Sequence, residues 1–275
     1  MPRSNQYERS VWRLIQSPPE RGAWNMAVDE ALLAGVRRGE SGPILRLYAW
    51  NPPCISLGYA QSIHDVDRDR LAALGWDLVR RPTGGKAILH TDELTYAVIT
   101  PHDEPRMAQG ILDSYHTLAR ALLQALIRLG IPAEISGPAQ KESDPGPVCF
   151  EAPSDYEITV GGKKIVGSAQ ARRKGGILQH GTFPLTGDLA RINQVLVYPD
   201  ERARQIAASR LDARATTAEQ ARGKSIPVAI AAAAFVEAFA DVLNIQINRS
   251  GLSGQEEAEA ERLAAEYFVK YQVGE

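Results

Sequence analysis

The sequence predicts an α+β fold in which a mostly antiparallel mixed sheet is flanked by helices. Strand-like segments are grouped in the first two-thirds of the 275 residues, and mainly helical segments follow Leu185. This grouping favours α+β over a doubly wound parallel sheet. No Gly-x-Gly-x-x-Gly motif follows a predicted strand, so a dinucleotide-binding fold is not supported. No linker or repeat divides the chain, which predicts a single structural unit.

In the first hundred residues, short apolar alternation predicts strands and apolar residues at helical spacing predict helices. Trp50-Asn51-Pro52-Pro53 has strong turn chemistry, and Asp65 is the predicted N-cap of a short helix. A hairpin is predicted around Thr91-Asp92-Glu93. The predicted strands are 11–15, 44–48, 54–58, 76–80, 87–90 and 94–99, and the predicted helices are 23–38 and 66–74.

The strongest helical pattern runs from Ile111 to Leu129, with its apolar residues on one face and Gly130 at its end. Residues 136–147 are rich in Gly, Pro and charge, which predicts a mobile loop. Gly161-Gly162 is a predicted turn between strands. The remaining predicted strands are 156–160, 164–171, 176–184 and 245–248, and the remaining helices are 189–197, 201–211, 228–243 and 256–271.

Charge and cysteine content favour a cytoplasmic protein that binds neither nucleic acid nor membrane. The net charge is −2, and positive charge is concentrated only locally, in Arg80-Arg81 and in residues 172–174. The two cysteines, Cys54 and Cys149, lie far apart in sequence, which is typical of a reducing compartment. The N-terminus has no apolar signal-peptide region, and no run approaches membrane-spanning length.

Cys149 is the candidate nucleophile. It follows the polar loop, and a glycine turn that bears Lys163 and Lys164 comes shortly after it. A nearby cation favours the reactive thiolate. Two alternatives remain open from the residues alone: a buried structural cysteine, or a Cys–His pair with His90 or His180. For each histidine, a structural hydrogen-bonding role is the default.

The block from Arg80 to His90 contains two arginines and a Thr83-Gly84-Gly85 turn. Glycines allow a ligand to approach the backbone closely and leave N–H groups free to bind it. A tight turn with solvated arginines is the alternative. The block is not a Walker A motif, because Arg80 and Ala87 replace the required glycine and hydroxyl residue. The histidine spacing suggests no metal site.

Taken together, these segments resemble the biotin/lipoate A/B protein ligase superfamily, and most closely the octanoyltransferases of the LipM type. The Arg-Arg-x-Thr-Gly-Gly and Lys-x-x-Gly-Ser-Ala motifs are specific to the superfamily, and Cys-Phe-x-Ala-Pro narrows the match to transferases that use cysteine. The segments that carry the resemblance are residues 25–32, 80–85, His90, 93–96, 149–153, 164–170 and 178–181.

The resemblance implies the fold of class II aminoacyl-tRNA synthetases and biotin synthetases. It implies a catalytic domain over residues 39–247, an N-terminal strand and helix over 1–38 packed on it, and a C-terminal helix over 248–275. It maps the catalytic cysteine onto Cys149 and the lysine that lowers its pKa onto Lys164. The substrate-binding residues that it implies are Arg80, Arg81, Thr83, Gly84, Gly85, His90, Gly167, Ser168, Ala169 and His180.

The implied reaction moves an octanoyl group from acyl carrier protein to a lysine of a lipoyl-accepting protein, with the glycine cleavage H protein as the expected acceptor. The enzyme would act as a monomer, with no metal and no cofactor of its own. The strands 87–89 and 165–167 would line an acyl tunnel, and backbone N–H groups near Gly84-Gly85 or Ser168 would bind the oxyanion. Three alternatives remain: an ATP-dependent lipoate–protein ligase, an octanoyl amidotransferase between lipoyl domains, and a non-catalytic binding module.

Overall fold

In this computed structural model, the described residues are 7–136, Val148, Phe150 and 156–272, with side chains described to residue 267. Cys149 and most of the loop predicted for 136–147 lie outside them. The strands are β1 (Ser10–Glu20), β2 (Ile44–Trp50), β3 (Cys54–Leu57), β4 (Asp77–Arg80), β5 (Ile88–His90), β6 (Glu93–Pro101), β7 (Glu134–Ile135), β8 (Ile158–Val160), β9 (Lys163–Arg173), β10 (Gly176–Pro184) and β11 (Ile245–Arg249). The helices are α1 (Gly22–Arg37), α2 (Arg68–Ala73), α3 (Ile111–Arg128), α4 (Glu201–Arg214), α5 (Ala218–Arg222), α6 (Val228–Leu243) and α7 (Gly254–Gln272).

Eight strands form one mixed sheet in the order β11-β1-β2-β6-β10-β9-β8-β7. β1 runs parallel to both β2 and β11, and every other neighbouring pair is antiparallel. A smaller sheet has the order β4-β3-β5. The predicted α+β class with a mostly antiparallel mixed sheet is therefore confirmed.

The predicted hairpin around Thr91-Asp92-Glu93 is wrong. β5 pairs with β3 in the small sheet, whereas β6 pairs with β2 and β10 in the large one. The alternation in sequence identifies two strands and a short turn, but it does not identify their partners. β6 is buried at every position from Glu93 to Thr100, and a strand buried on both faces needs a neighbour on each side.

Two smaller predictions also differ from the structure. Asp65 does not cap α2: Asp67 does, and its side chain accepts a hydrogen bond from the Arg70 N–H at 3.1 Å. Two acidic residues two positions apart are both competent caps, and sequence alone did not discriminate between them. The helix predicted over 189–197 is a 3-10 helix over Leu189–Gln194.

Helices cover both faces of the large sheet. α3 and α6 lie on one face, where Tyr96, Phe183 and Phe235 are buried together. α1 and α7 pack on each other, and α1 covers the other face. A third apolar cluster joins the small sheet to the 3-10 helix and α4. Among the described residues, none of the helices has the length and apolar character that a bilayer span requires.

Gly181 lies at the middle of the sheet, where β9, β10 and β6 meet. A Cβ atom there would lie 2.5 Å from the Gly167 carbonyl oxygen and 2.6 Å from Cε1 of Tyr96. We expect Gly181→Ala to lower the free energy of unfolding by about 1–3 kcal/mol, because a packed core resists added volume. Urea denaturation measures this change.

Gly42→Ala is the matched control, because a Cβ at Gly42 meets no atom within 4 Å. Its effect should stay within about 0.5 kcal/mol of zero. Equal stabilities for the two variants would contradict the packing argument.

Candidate active site

The Thr83-Gly84-Gly85 turn connects β4 to β5 and lies against Gly58. A Cβ at Gly58 would lie 1.9 Å from the Gly85 carbonyl oxygen, so the two backbones touch. Gly85 has a φ of +94°, a conformation that L side chains rarely adopt. Gly58 and Gly85 are therefore required by the geometry of the turn itself.

Arg80 and Arg81 hold this turn through backbone carbonyls. Arg81 is buried, and its guanidinium donates to the carbonyls of Gly84 at 2.8 Å and Lys86 at 2.8 Å. Arg80 donates to the Gly58 carbonyl at 2.9 Å. The structure thus gives both arginines a scaffolding role, and substrate binding by either one remains a prediction.

A first buried chain of hydrogen bonds ends on the turn. Asp29, on α1, is 3.3 Å from Nδ1 of His180, and Nε2 of His180 is 2.7 Å from the Thr83 hydroxyl. Asp29 also accepts from Arg46 at 2.7 Å and from the Tyr48 hydroxyl at 2.9 Å. The chain therefore fixes Thr83 relative to α1, β2 and β10.

A second chain has the same chemistry on the other side of the turn. Glu93 is 2.8 Å from Nδ1 of His90, and Nε2 of His90 is 2.8 Å from the Ser56 hydroxyl. Arg81 in turn donates to the Ser56 hydroxyl at 3.1 Å. The His90 ring also stacks on Trp50, with ring centroids 4.1 Å apart. Each histidine thus lies between a carboxylate and a hydroxyl.

Burial governs the charge states of Asp29 and His180 in the first hydrogen-bond chain. Burial raises the pKa of Asp29, but Arg46 and His180 together bring that pKa below its usual value. Burial lowers the pKa of His180 below 6.5, and the opposing effect of Asp29 does not cancel it. The first hydrogen-bond chain therefore contains an ionised Asp29 and a neutral His180 near pH 7.

The two hydrogen-bond chains border a narrow apolar cavity with a free volume of about 20 Å³. His90, His180 and Thr182 line it, and their polar atoms already have partners within the protein. The walls consequently present mainly carbon, which suits an acyl chain. Six of the predicted substrate-binding residues line this cavity: Arg81, His90, Gly167, Ser168, Ala169 and His180.

Lys164 lies beside the segment that carries Cys149. It is 5% exposed, and its ammonium donates to Glu157 at 2.7 Å. Its Nζ is also 6.0 Å from the ring centroid of Phe150, the residue after Cys149. Val148, the residue before Cys149, pairs with Ala87 of the turn region. Val148 and Phe150, which flank Cys149 in sequence, therefore contact the turn region and Lys164 respectively.

Cys54 does not compete for the nucleophile role. It is fully buried on β3, and burial raises the pKa of its thiol well above the ordinary value. Its Sγ also fills the space against Gly22, where a Cβ atom would lie 2.4 Å away. These features give Cys54 a structural role.

Sequence reasoning missed four polar residues: Asp29, Ser56, Glu93 and Glu157 had no predicted role in the site. Asp29 did carry a signal, because it stands among the apolar residues of a predicted helix. An acid at a buried helix position needs a cationic or hydrogen-bonding partner. Glu157 carried no such signal, since it lies in a polar stretch.

Comparison with known proteins places this site in a family. The model of the lipoyl protein ligase A/B catalytic domain matches residues 21–240. The chain belongs to this family. Within it, the chain is 38% identical to octanoyltransferase LipM of Exiguobacterium sibiricum, over 93% of the chain and 95% of that protein. It is 40% identical to octanoyltransferase LipM of Moorella thermoacetica, over 94% of the chain and 95% of that protein.

Solved structures of the lipoyl protein ligase family share the fold. One is the bi-partite lipoate protein ligase of Thermoplasma acidophilum, with a TM-score of 0.75, 26% identity and coverage of 94% of this chain and 93% of that one. Another is a lipoate-protein ligase A bound with ATP, with a TM-score of 0.74, 26% identity and coverage of 94% and 95%. The family resemblance inferred from the motifs is therefore confirmed.

The relatives in the lipoyl protein ligase family include both ligases and transferases. Family membership alone therefore does not identify the acyl donor. Throughout the described ranges, no three His, Cys, Asp or Glu side chains are grouped so as to hold a metal ion. The described features nearest to this chemistry are the apolar cavity and the Lys164–Glu157 ion pair.

The charge state of His180 predicts how stability depends on pH. Because the folded pKa of His180 lies below 6.5, the unfolded chain takes up a proton more readily. The contribution of His180 to stability is therefore complete above about pH 6.5 and is lost as pH falls. We expect the urea-unfolding free energy of wild type to fall from pH 7.5 to 5.5, and the fall to be smaller in His180→Gln.

His102→Gln is the control, because His102 is exposed on the protein surface. It should keep the pH dependence of wild type. If His180→Gln also kept that dependence unchanged, the neutral state assigned to His180 would be incorrect.

Proposed function

We propose that this protein transfers an octanoyl group from acyl carrier protein to a lysine of a lipoyl-accepting protein, such as the glycine cleavage H protein. The relatives named octanoyltransferase LipM are 36–40% identical over more than nine-tenths of the chain. The observation that carries the proposal is the Lys164 ammonium, which lies 6.0 Å from the ring centroid of Phe150. That ring in turn packs against Gly167, a residue of the cavity wall.

Cys149 would act as the acyl acceptor in the first half of the reaction. Its thiolate attacks the carbonyl carbon of the octanoyl thioester, the bond to the carrier's pantetheine sulfur breaks, and that sulfur leaves and takes up a proton. In the second half, a neutral lysine amine attacks the new thioester. An amide forms, the amine gives up a proton, and the Cys149 sulfur is released.

Lys164 would stabilise the thiolate form of Cys149. A thiol is only a few per cent ionised near neutral pH, and a cation nearby raises that fraction. The carboxylate of Glu157 lies 2.7 Å from the ammonium and holds it beside the Phe150 ring. The ion pair with Glu157 fixes the position of the ammonium, which suits an electrostatic role.

The apolar cavity marks the place where the octanoyl chain would bind. Its free volume of about 20 Å³ has room for only about one water, so its lining side chains would have to move apart to admit the chain. Ile88 and Gly167 belong to the two strands expected to line the acyl tunnel, and both line this cavity. Gly167 leaves room at its edge, where a Cβ would lie 3.5 Å from the Phe150 ring. Binding the chain there would exclude water from the thioester and so limit its hydrolysis.

An oxyanion site near Gly84-Gly85 or Ser168 remains part of this proposal. The Ser168 hydroxyl is 2.8 Å from the Tyr96 hydroxyl, so the backbone N–H groups are the better donors for an oxyanion. The reaction as written needs no ATP, metal or other cofactor.

An ATP-dependent ligase and an amidotransferase between lipoyl domains are the competing functions. The solved relatives include a lipoate-protein ligase A bound with ATP. The identity to proteins named octanoyltransferase LipM is higher, and a cysteine nucleophile has no part in acid adenylation. Donor choice separates the three functions: octanoyl carrier protein, octanoate with ATP, or an octanoylated lipoyl domain.

A covalent octanoyl intermediate on Cys149 would be detectable by its mass. When the purified protein is mixed with octanoyl acyl carrier protein and no acceptor, we expect its intact mass to rise by one octanoyl group. Cys149→Ala should show no such gain, because it lacks the attacking sulfur. A folded wild-type protein that gained no mass, yet octanoylated its acceptor from octanoate and ATP, would be a ligase instead.

Replacing Lys164 tests its effect on the pKa of the Cys149 thiol. Lys164→Met should raise the pKa of the Cys149 thiol by about 1–3 units, the range expected when a cation within a few ångströms is removed. The rate of alkylation by iodoacetamide, measured against pH, reports this pKa. Lys163→Met is the matched control, because the Lys163 ammonium donates instead to the carbonyl of Asp212 at 2.7 Å. An equal thiol pKa in the two variants would remove Lys164 from the mechanism.

A further inference from the structure

A groove rich in positive charge borders the active site. It is lined by cationic side chains from three parts of the fold: the end of α1, the glycine turn and the end of β9. Over the described ranges, its lining includes no aspartate or glutamate. The cationic lining residues are Arg37, Lys86, Arg172, Arg173 and Lys174.

This charge is local, since the whole chain has a net charge of −2. Lys86, Arg173 and Lys174 form no ion pair with any described carboxylate. Arg172 is exposed, and its hydrogen bonds go to neutral acceptors, the carbonyls of Met107 and Gly110 among them. Among the described residues, the groove therefore holds positive charge that no carboxylate pairs, which favours an anionic partner.

The walls of the groove are held in place by arginines that bind backbone carbonyls. Arg37 donates to the Lys174 carbonyl at 2.8 Å and fixes the tip of the β9–β10 hairpin. Arg81 donates to the Lys86 carbonyl at 2.8 Å. The surface is thus preorganised, which lowers the entropic cost of binding.

The groove also contains an exposed aromatic residue. Tyr59 lines it and is 64% exposed. Tyrosine and arginine are enriched at the energetically important positions of protein–protein interfaces. Tyr59 among the cationic side chains therefore fits a protein partner better than a free ion.

One end of the groove lies close to Val148, the residue before Cys149 in sequence. Lys86 lines the groove, and Ala87, the next residue, pairs with Val148, which precedes Cys149. Neighbouring strands lie about 4.8 Å apart, and one residue adds about 3.3 Å. A tethered thioester bound along the groove can therefore extend to the active site.

We propose that this groove is the docking surface for the acidic face of the acyl carrier protein and for the phosphodiester of its phosphopantetheine arm. The inference rests on the proposed function, which names the carrier as the acyl donor. The donor fits better than the acceptor because its thioester is tethered by a phosphodiester, which stays negative at neutral pH. The acceptor presents a lysine amine, which positive charge repels when it is protonated.

Steady-state kinetics with two donors test this assignment. One donor is octanoyl acyl carrier protein, and the other is the octanoyl thioester of N-acetylcysteamine, which is neutral and small. In Arg173→Glu/Lys174→Glu, we expect kcat/KM for the carrier, divided by kcat/KM for the neutral thioester, to fall about tenfold. The KM for the acceptor protein should change by less than about twofold, and the salt dependence of the carrier reaction should weaken.

Arg202→Glu/Lys224→Glu is the matched control, because it reverses one exposed arginine and one exposed lysine outside the groove. It should keep the wild-type ratio. If the charge-reversed variant fails to fold, Arg173→Gln/Lys174→Gln should lower the ratio in the same direction by a smaller factor.

An unchanged ratio in the Arg173/Lys174 variants would overturn the docking assignment, and so would an increase in KM for the acceptor alone. Failure of the proposed function would look different. In that case, wild type itself would not use the octanoyl carrier, whatever the charge of the groove.

Discussion

The buried carboxylate of Asp29 is the constraint on which the rest of the site depends. Asp29 and Arg46 are both fully buried, and the cost of taking two charges out of water is offset only by close and complete pairing. Arg46 lies on β2 and Asp29 on α1, so the pair fixes the helix against the sheet. Removing one partner from such a pair typically costs about 3–5 kcal/mol.

Glu93 is a second buried carboxylate with several hydrogen-bond partners, on the opposite side of the cavity. It binds His90 and accepts from the hydroxyls of Thr95 and Thr182. A binding site for an acyl chain needs apolar walls, yet its two histidines bring polar atoms into those walls. The two carboxylates resolve this conflict, because each imidazole has both of its nitrogens occupied and presents only its carbon edge and face.

How far the sequence predicts this structure depends on whether the decisive contacts are local. β10 and α6 have the bounds expected from the sequence, because their signals are contained within the segment. The pairing of β5 was wrong because strand partners are set by long-range packing. Gly167 and His180, which the motifs name as substrate-binding residues, line the same cavity. The partners Asp29 and Glu157 were missed, since a carboxylate in sequence does not identify the cation that it will meet.

The arginines and lysines around the site divide into two groups with different physical roles. Arg37, Arg80 and Arg81 donate several hydrogen bonds in a fixed geometry, which suits them to bind carbonyls and shape loops. Lys86, Arg173 and Lys174 instead leave their charge at the surface of the groove. In the proposed reaction, one sulfur serves two protein substrates in turn, so the acyl chain has to stay fixed while the proteins exchange. An apolar cavity beside an electrostatic surface suits that requirement, because charge attraction at a solvated rim speeds association without preventing release.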